Sequence, residues 1–213
     1  MKRIIFLIIA IFCIILPMNV KAIDLAEYNI LNLEQALAAE NVEKKFTKYS
    51  ENDKQATIYL FRGQGCAFCL KFLNFLNDIY EEEGNKFKVI SFESWQDDKN
   101  AALLKEVAEF NGDDKYGVPY IIIGDEVFPG FTEEAYGDAV KKAINKVYSQ
   151  DLDDRYDIFT AMEEAKNKES SEFGALEVSI IVGIATIIII GYDSIRFHML
   201  ERKITELSHK KNK

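Results

Sequence analysis

The residues best suited to covalent chemistry are Cys66 and Cys69, three apart in the stretch Arg62-Gly-Gln-Gly-Cys-Ala-Phe-Cys-Leu-Lys-Phe72. A CxxC pair has three chemistries open to it: a reversible dithiol/disulfide couple, half of a zinc site, or a small structural disulfide. A zinc site needs two more ligands, and the only histidines, His198 and His209, stand far downstream, beyond an apolar segment. Metal at the CxxC would therefore require a dimer or carboxylate ligands. A disulfide closing so small a loop removes little entropy from the unfolded chain and stabilises it poorly. The redox couple is the reading these arguments favour, with no cofactor beyond the disulfide and no metal expected.

The flanking residues place the pair at the start of a helix. Ala56–Phe61 is a compact β-type run, and Gly63 and Gly65 break it. Beyond Cys66 the apolar residues Phe68, Leu70, Phe72, Leu73, Phe75, Leu76 and Ile79 give the wide face of a helix packed on a sheet. A cysteine in the first turn of a helix meets unpaired backbone N–H groups and the positive end of the dipole, and both favour thiolate over thiol. Cys66 is thus expected to attack a partner's disulfide. Cys69, one turn on and deeper, is expected to resolve the mixed species. Gly63 and Gly65 keep side chains clear of an incoming polypeptide. The intervening Ala67 and Phe68 are the residues expected to tune the couple.

The rest of the stretch from residue 24 to 148 supplies a sheet. Residues 24–50 read as a helical lead-in, with Asn32 and Gln35 as a capping box followed by Leu33, Leu37, Val42 and Phe46. Phe87–Phe92 reads as a second strand, and Asp97 or Asp98 caps a helix running to Phe110. Ile121–Ile123 and Glu126–Phe128 form a hairpin over Gly124-Asp125, and Thr132 opens a last helix to about Tyr148. The order α-β-α-β-α-β-β-α predicts an α/β fold with a mixed central sheet and helices on both faces. Residues 149–172 are polar and acidic, and read as a spacer.

The two ends suggest export and anchoring. Met1-Lys-Arg precedes a 13-residue apolar run, Ile4–Leu16; Pro17 ends it, and Val20-Lys21-Ala22 offers the small residues of a cleavage site. Residues 1–22 therefore read as a signal peptide or an uncleaved anchor, with Cys13 an apolar filler inside it. A second apolar segment, 173–192, reaches roughly 30 Å as a helix, enough to span a bilayer. The tail 193–213 carries six Lys/Arg against three acidic residues, which places it in the cytoplasm and the domain between outside. Residues 23–174 hold 31 acidic against 17 basic side chains, and so acidic a body argues against nucleic acid as a partner.

Strand, CxxC at a helix start, and Val118-Pro119 opening a hairpin some fifty residues later together resemble the thioredoxin-like superfamily over roughly residues 55–148. The resemblance implies a thioredoxin-like fold in which Pro119 is a cis proline lying against the disulfide and limiting metal binding. It also implies that Val118 contacts substrate backbone. Phe128-Pro129-Gly130-Phe131 is similar to the family's glycine turn after the hairpin. Three departures stand out: Ala67-Phe68 replaces Gly-Pro, no tryptophan precedes Cys66, and Leu60 occupies the place of a buried acid. With signal segment and anchor, the whole is similar to bacterial membrane-bound thiol–disulfide exchange proteins. That resemblance implies an oxidoreductase acting on cysteine-containing exported polypeptides beside a membrane redox partner. The other reading is a binding module, an accessory to secretion or assembly whose CxxC is not catalytic.

Overall fold

A run of β-branched, aromatic and aliphatic residues, closed by Arg62, makes Ala56–Arg62 (β2) a strand without a solvent face; six of its seven residues are buried. The computed structural model describes residues 23–211. In it β2 pairs parallel with Phe87–Glu93 (β3) and antiparallel with Tyr120–Ile123 (β4). Glu126–Pro129 (β5) folds back on β4, and Ile30–Leu31 (β1) adds antiparallel to the far edge of β3. The result is a mixed five-stranded sheet in the order β1-β3-β2-β4-β5. The chain is thus α/β, with helices Leu33–Ala39 (α1), Ala67–Glu83 (α2), Asp98–Phe110 (α3), Glu133–Ser149 (α4) and Ile158–Lys211 (α5).

The two-residue period of the strands sorts the core into two layers. Ala56, Ile58 and Leu60 join α1, α2 and α4 on one face, while Tyr59 and Phe61 join α3 and the root of α5 on the other. The caps that the residues indicate are formed. Asn32 and Gln35 exchange both bonds of a capping box, Asp97 accepts from the N–H groups of Lys99 and Asn100, and Thr132 accepts from Ala135.

Two expectations need correcting. Apart from a 3-10 turn at Leu25–Glu27, the lead-in is helical only over Leu33–Ala39, and Val42 and Phe46 lie beyond it. Asn41, at φ 55°, takes the left-handed conformation, while Asn41 N–H bonds Ala38 O and Val42 N–H bonds Leu37 O. Those two bonds are a Schellman stop. The chain then runs irregularly along α2, where buried Asn77 bonds the backbone of Glu43 and Lys45, and Phe46 packs on Tyr80. The second correction concerns the spacer expected from residue 149. Ile158, Phe159 and Met162 fall on one face of the first turns of α5 and are buried against the sheet. Asp157 accepts from the Tyr59 hydroxyl, and Arg155 donates to the carbonyls of Gln55, Tyr148 and Gln150. Residues up to 164 therefore belong to the same compact unit as the sheet, and the chain from Ala165 belongs to another.

Residues 1–22, with the expected signal segment and Cys13, lie outside the described residues. The expected span 173–192 is helical, and its side chains through residue 182 also lie outside them. Among the described residues no helix is long and apolar enough to cross a membrane.

Phe159 stands edge-on to Tyr59 with ring centroids 4.8 Å apart, and 6.1 Å from Phe92. Phe159→Ala is expected to lower stability by about 3 kcal/mol through the cavity it leaves. Urea unfolding checks this; a change within 0.5 kcal/mol, the scale of an ordinary surface substitution, would show that the root of α5 is not part of the core.

Candidate functional site

The site forms where β2 and β3 end side by side. The helix after β2 covers one face of the sheet and the helix after β3 covers the other, so the two loops leave the carboxyl ends of the strands in opposite directions. Cys66 sits in the first of these loops as the N-cap of α2. Its Sγ accepts the Cys69 N–H at 3.3 Å, in the position an N-cap oxygen usually fills. Both cysteines are free thiols, Cys66 at 6% exposure and Cys69 at 1%.

Burial pushes the Cys69 thiol well above the usual range, and its hydrogen bond to Cys66 adds to the effect; a bond to the Gly63 backbone and the charge of Arg62 work against it. Position on the helix thus separates the two sulfurs. One caps the Cys69 N–H at the start of the helix, and burial keeps the other protonated.

The antiparallel pairing of β4 brings in the second half of the site. Tyr120 lies opposite Phe61, so the dipeptide before it arrives beside the turn after β2. The Val118–Pro119 peptide bond is cis, and the Val118 carbonyl stands 3.7 Å from Cys66 Sγ. The Tyr120 hydroxyl donates to Asp113 and accepts from Asn111, which holds the loop leading to Val118. Pro119 O accepts the Gly130 N–H at 2.8 Å, where Gly130 adopts φ 110°. Ala67 and Phe68 lie on the outer side of the first turn; Phe68 is 51% exposed, with the Lys71 ammonium 5.2 Å from its ring centre.

Four further residues shape the site without having been singled out from the sequence for it. Glu40, at the C-cap of α1, accepts the Gly65 N–H at 3.0 Å and pairs with Arg62 at 2.6 Å. Glu93, the last residue of β3, accepts the N–H groups of Gln64, Trp95 and Gln96. The indole of Trp95 lies on Gly63 so closely that a Cβ there would run into it, which is why that position takes glycine. Arg62, a charge closing an apolar strand, was a usable signal. Glu40 carried none, because nothing local ties it to a loop 25 residues away.

Leu60 lies in the core on the α2 side of β2. Among the described residues no group of three or more His, Cys, Asp or Glu side chains is placed to hold a metal ion. No protein family, curated protein or solved structure matches this chain.

The raised Cys69 thiol has a pH consequence. A buried thiol that stays protonated adds stability below the pKa of a free thiol and loses it as the unfolded chain ionises above about pH 8.5. The buried tyrosines Tyr59 and Tyr120 are pushed up as well, and their loss begins only near pH 10. Between about pH 8.5 and 10 the dithiol form is expected to lose melting temperature, and the disulfide form, with no thiol to titrate, to hold it. Parallel slopes for the two forms in thermal scans would contradict the assignment.

Proposed function

We propose that this chain is a thioredoxin-like thiol–disulfide oxidoreductase, anchored in a membrane, whose redox domain faces away from the cytoplasm. Its substrates are cysteine-containing exported polypeptides. The observation that carries the reading is Cys66 at the N-cap of α2 with its sulfur beneath the Val118 carbonyl, next to the cis Val118–Pro119 bond. A sulfur in that place caps the helix that starts at the carboxyl end of β2, and the Val118 backbone beside it offers an extended peptide a partner.

The exchange uses no cofactor. Cys66 thiolate attacks one sulfur of a substrate disulfide, forming the Cys66–substrate bond and releasing the other substrate sulfur as thiolate. Cys69 then loses its proton and attacks Cys66 Sγ, forming the Cys66–Cys69 disulfide and releasing the second substrate thiolate. Two electrons pass from the dithiol to the substrate, and the two protons of the dithiol end on substrate thiols. The reverse sequence oxidises a substrate dithiol. A membrane redox partner would restore the starting form in either direction.

Anchoring rests on the apolar run 173–192 and the basic tail after it. In support, Ile187, Ile188, Ile189 and Ile190 are all exposed on consecutive positions of α5, so no single face of that helix carries the apolar surface.

Removing the resolving sulfur tests the mechanism. Cys69→Ser is expected to accumulate covalent adducts with cysteine-containing polypeptides, visible as bands that reducing agent collapses. Cys66→Ser is expected to form none and to lose disulfide exchange. Equal adduct formation by both variants, or a wild-type pair that never interconverts between dithiol and disulfide across glutathione buffers, would overturn the proposal.

A further inference from the structure

A buried ion pair beneath the CxxC has no part in the exchange steps themselves. The Arg62 side chain is 2% exposed and that of Glu40 5%. Taking both charges out of water costs several kcal/mol each before pairing repays it, so a pair like this is weak evidence of a stability role. Glu40 is doubly out of place, because a carboxylate at a helix C-terminus meets the negative end of the dipole. What it gains there is specific: Oε1 takes the Arg62 guanidinium at 2.6 Å and Oε2 takes the Gly65 N–H at 3.0 Å. Arg62 Nε completes the network by donating to Ser91 Oγ at 3.1 Å.

Gly65 is the residue directly before Cys66, and it stands at φ 75°, where a side chain would be strained. The backbone there has no helix or strand to hold it. On one side Glu40 holds the Gly65 N–H, and on the other Glu93 holds the Gln64 N–H at 3.0 Å. The charged groups around the turn that leads into Cys66 are Glu40 from the end of α1, Arg62 from β2 and Glu93 from β3, and Lys71 of α2 lies over the Phe68 ring. Arg62 is the positive group paired with Glu40.

Resting on the oxidoreductase reading, the geometry points to Glu40 and Arg62 as positioning residues that set the reactivity of the dithiol: Glu40 fixes the Gly65 backbone leading into Cys66 and neutralises Arg62, whose charge would otherwise act in full on the two sulfurs. Arg62 already pulls against the burial that keeps the Cys69 thiol protonated. Glu40 limits that pull.

The test measures the iodoacetamide alkylation rate of the reduced full chain in detergent micelles at constant neutral pH, with the glutathione equilibrium as second readout. E40Q keeps an oxygen for the Gly65 N–H and frees the Arg62 charge, so alkylation is expected to speed up by about tenfold and the dithiol form to gain in glutathione buffer. R62M leaves the Glu40 carboxylate unopposed and is expected to slow alkylation by a similar factor; the E40Q/R62M double variant is expected to return toward wild type. A purely structural role would move both single variants in the same direction and make the double variant worst, and either result overturns the inference. Rates for both variants within twofold of wild type would also overturn it. Should R62M or E40Q fail to fold, R62K decides: it keeps the charge and must stay within about threefold of wild type in alkylation rate, and a larger loss counts against the charge role. Failure of the wild-type pair to cycle in glutathione would sink the oxidoreductase reading alone, because the alkylation comparison stands without turnover.

Discussion

Strand β2 is hydrogen-bonded on both edges and covered on both faces, and that constraint governs what surrounds the site. Nothing polar can stand in such a strand without a partner. Its last residue is nevertheless Arg62, a full charge in the interior. An unpaired charge there would cost several kcal/mol, so the fold must bring a carboxylate to it. Glu40 comes from α1, which has to stop where it does for the side chain to reach. The Schellman turn at Asn41 and the two-residue strand β1, which docks the segment on β3, accomplish this.

The same strand controls the geometry of the sulfurs. Its parallel neighbour β3 requires a crossover, and the crossover helix α2 begins immediately after the glycine turn, which puts Cys66 on unpaired backbone N–H groups. Its antiparallel neighbour β4 begins where β2 ends, which brings Val118-Pro119 to the same point from the other direction. Chemistry follows from the different partners at the two ends of one helical turn. Both sulfurs are buried, but Cys66 caps the start of α2 while burial holds the proton of Cys69.

Two segments outside the central βαβ region complete the core. The irregular chain after α1 is strapped to α2 by Asn77, and Gln55 ties the backbone of Ser50 to that of Gly84. Both amides are buried and both are satisfied, so they specify one path for the chain where no regular element does. At the other end, the root of α5 covers Tyr59 and Phe92 with Ile158, Phe159 and Met162. An acidic surrounding sequence hides that three-residue face, which is why composition alone makes the stretch resemble a free spacer.

What the residues determined by themselves is whatever acts within about one helical turn or along one strand. The capping residues Asn32, Asp97 and Thr132, the compact β-type run of β2, the break at Gly63 and Gly65, and the helix opening at Cys66 all depend on neighbours a few positions away. The CxxC announces itself locally, whereas Val118-Pro119 could be linked to it from the sequence only through the thioredoxin-like resemblance. Tertiary structure alone decided that Glu40 holds Gly65, that Arg62 is neutralised 22 residues from its partner, that Trp95 lies on Gly63, and that the root of α5 enters the core. Those contacts join groups that leave no periodic trace, and they form because a charge or an apolar face buried by the sheet must find its complement wherever the chain returns.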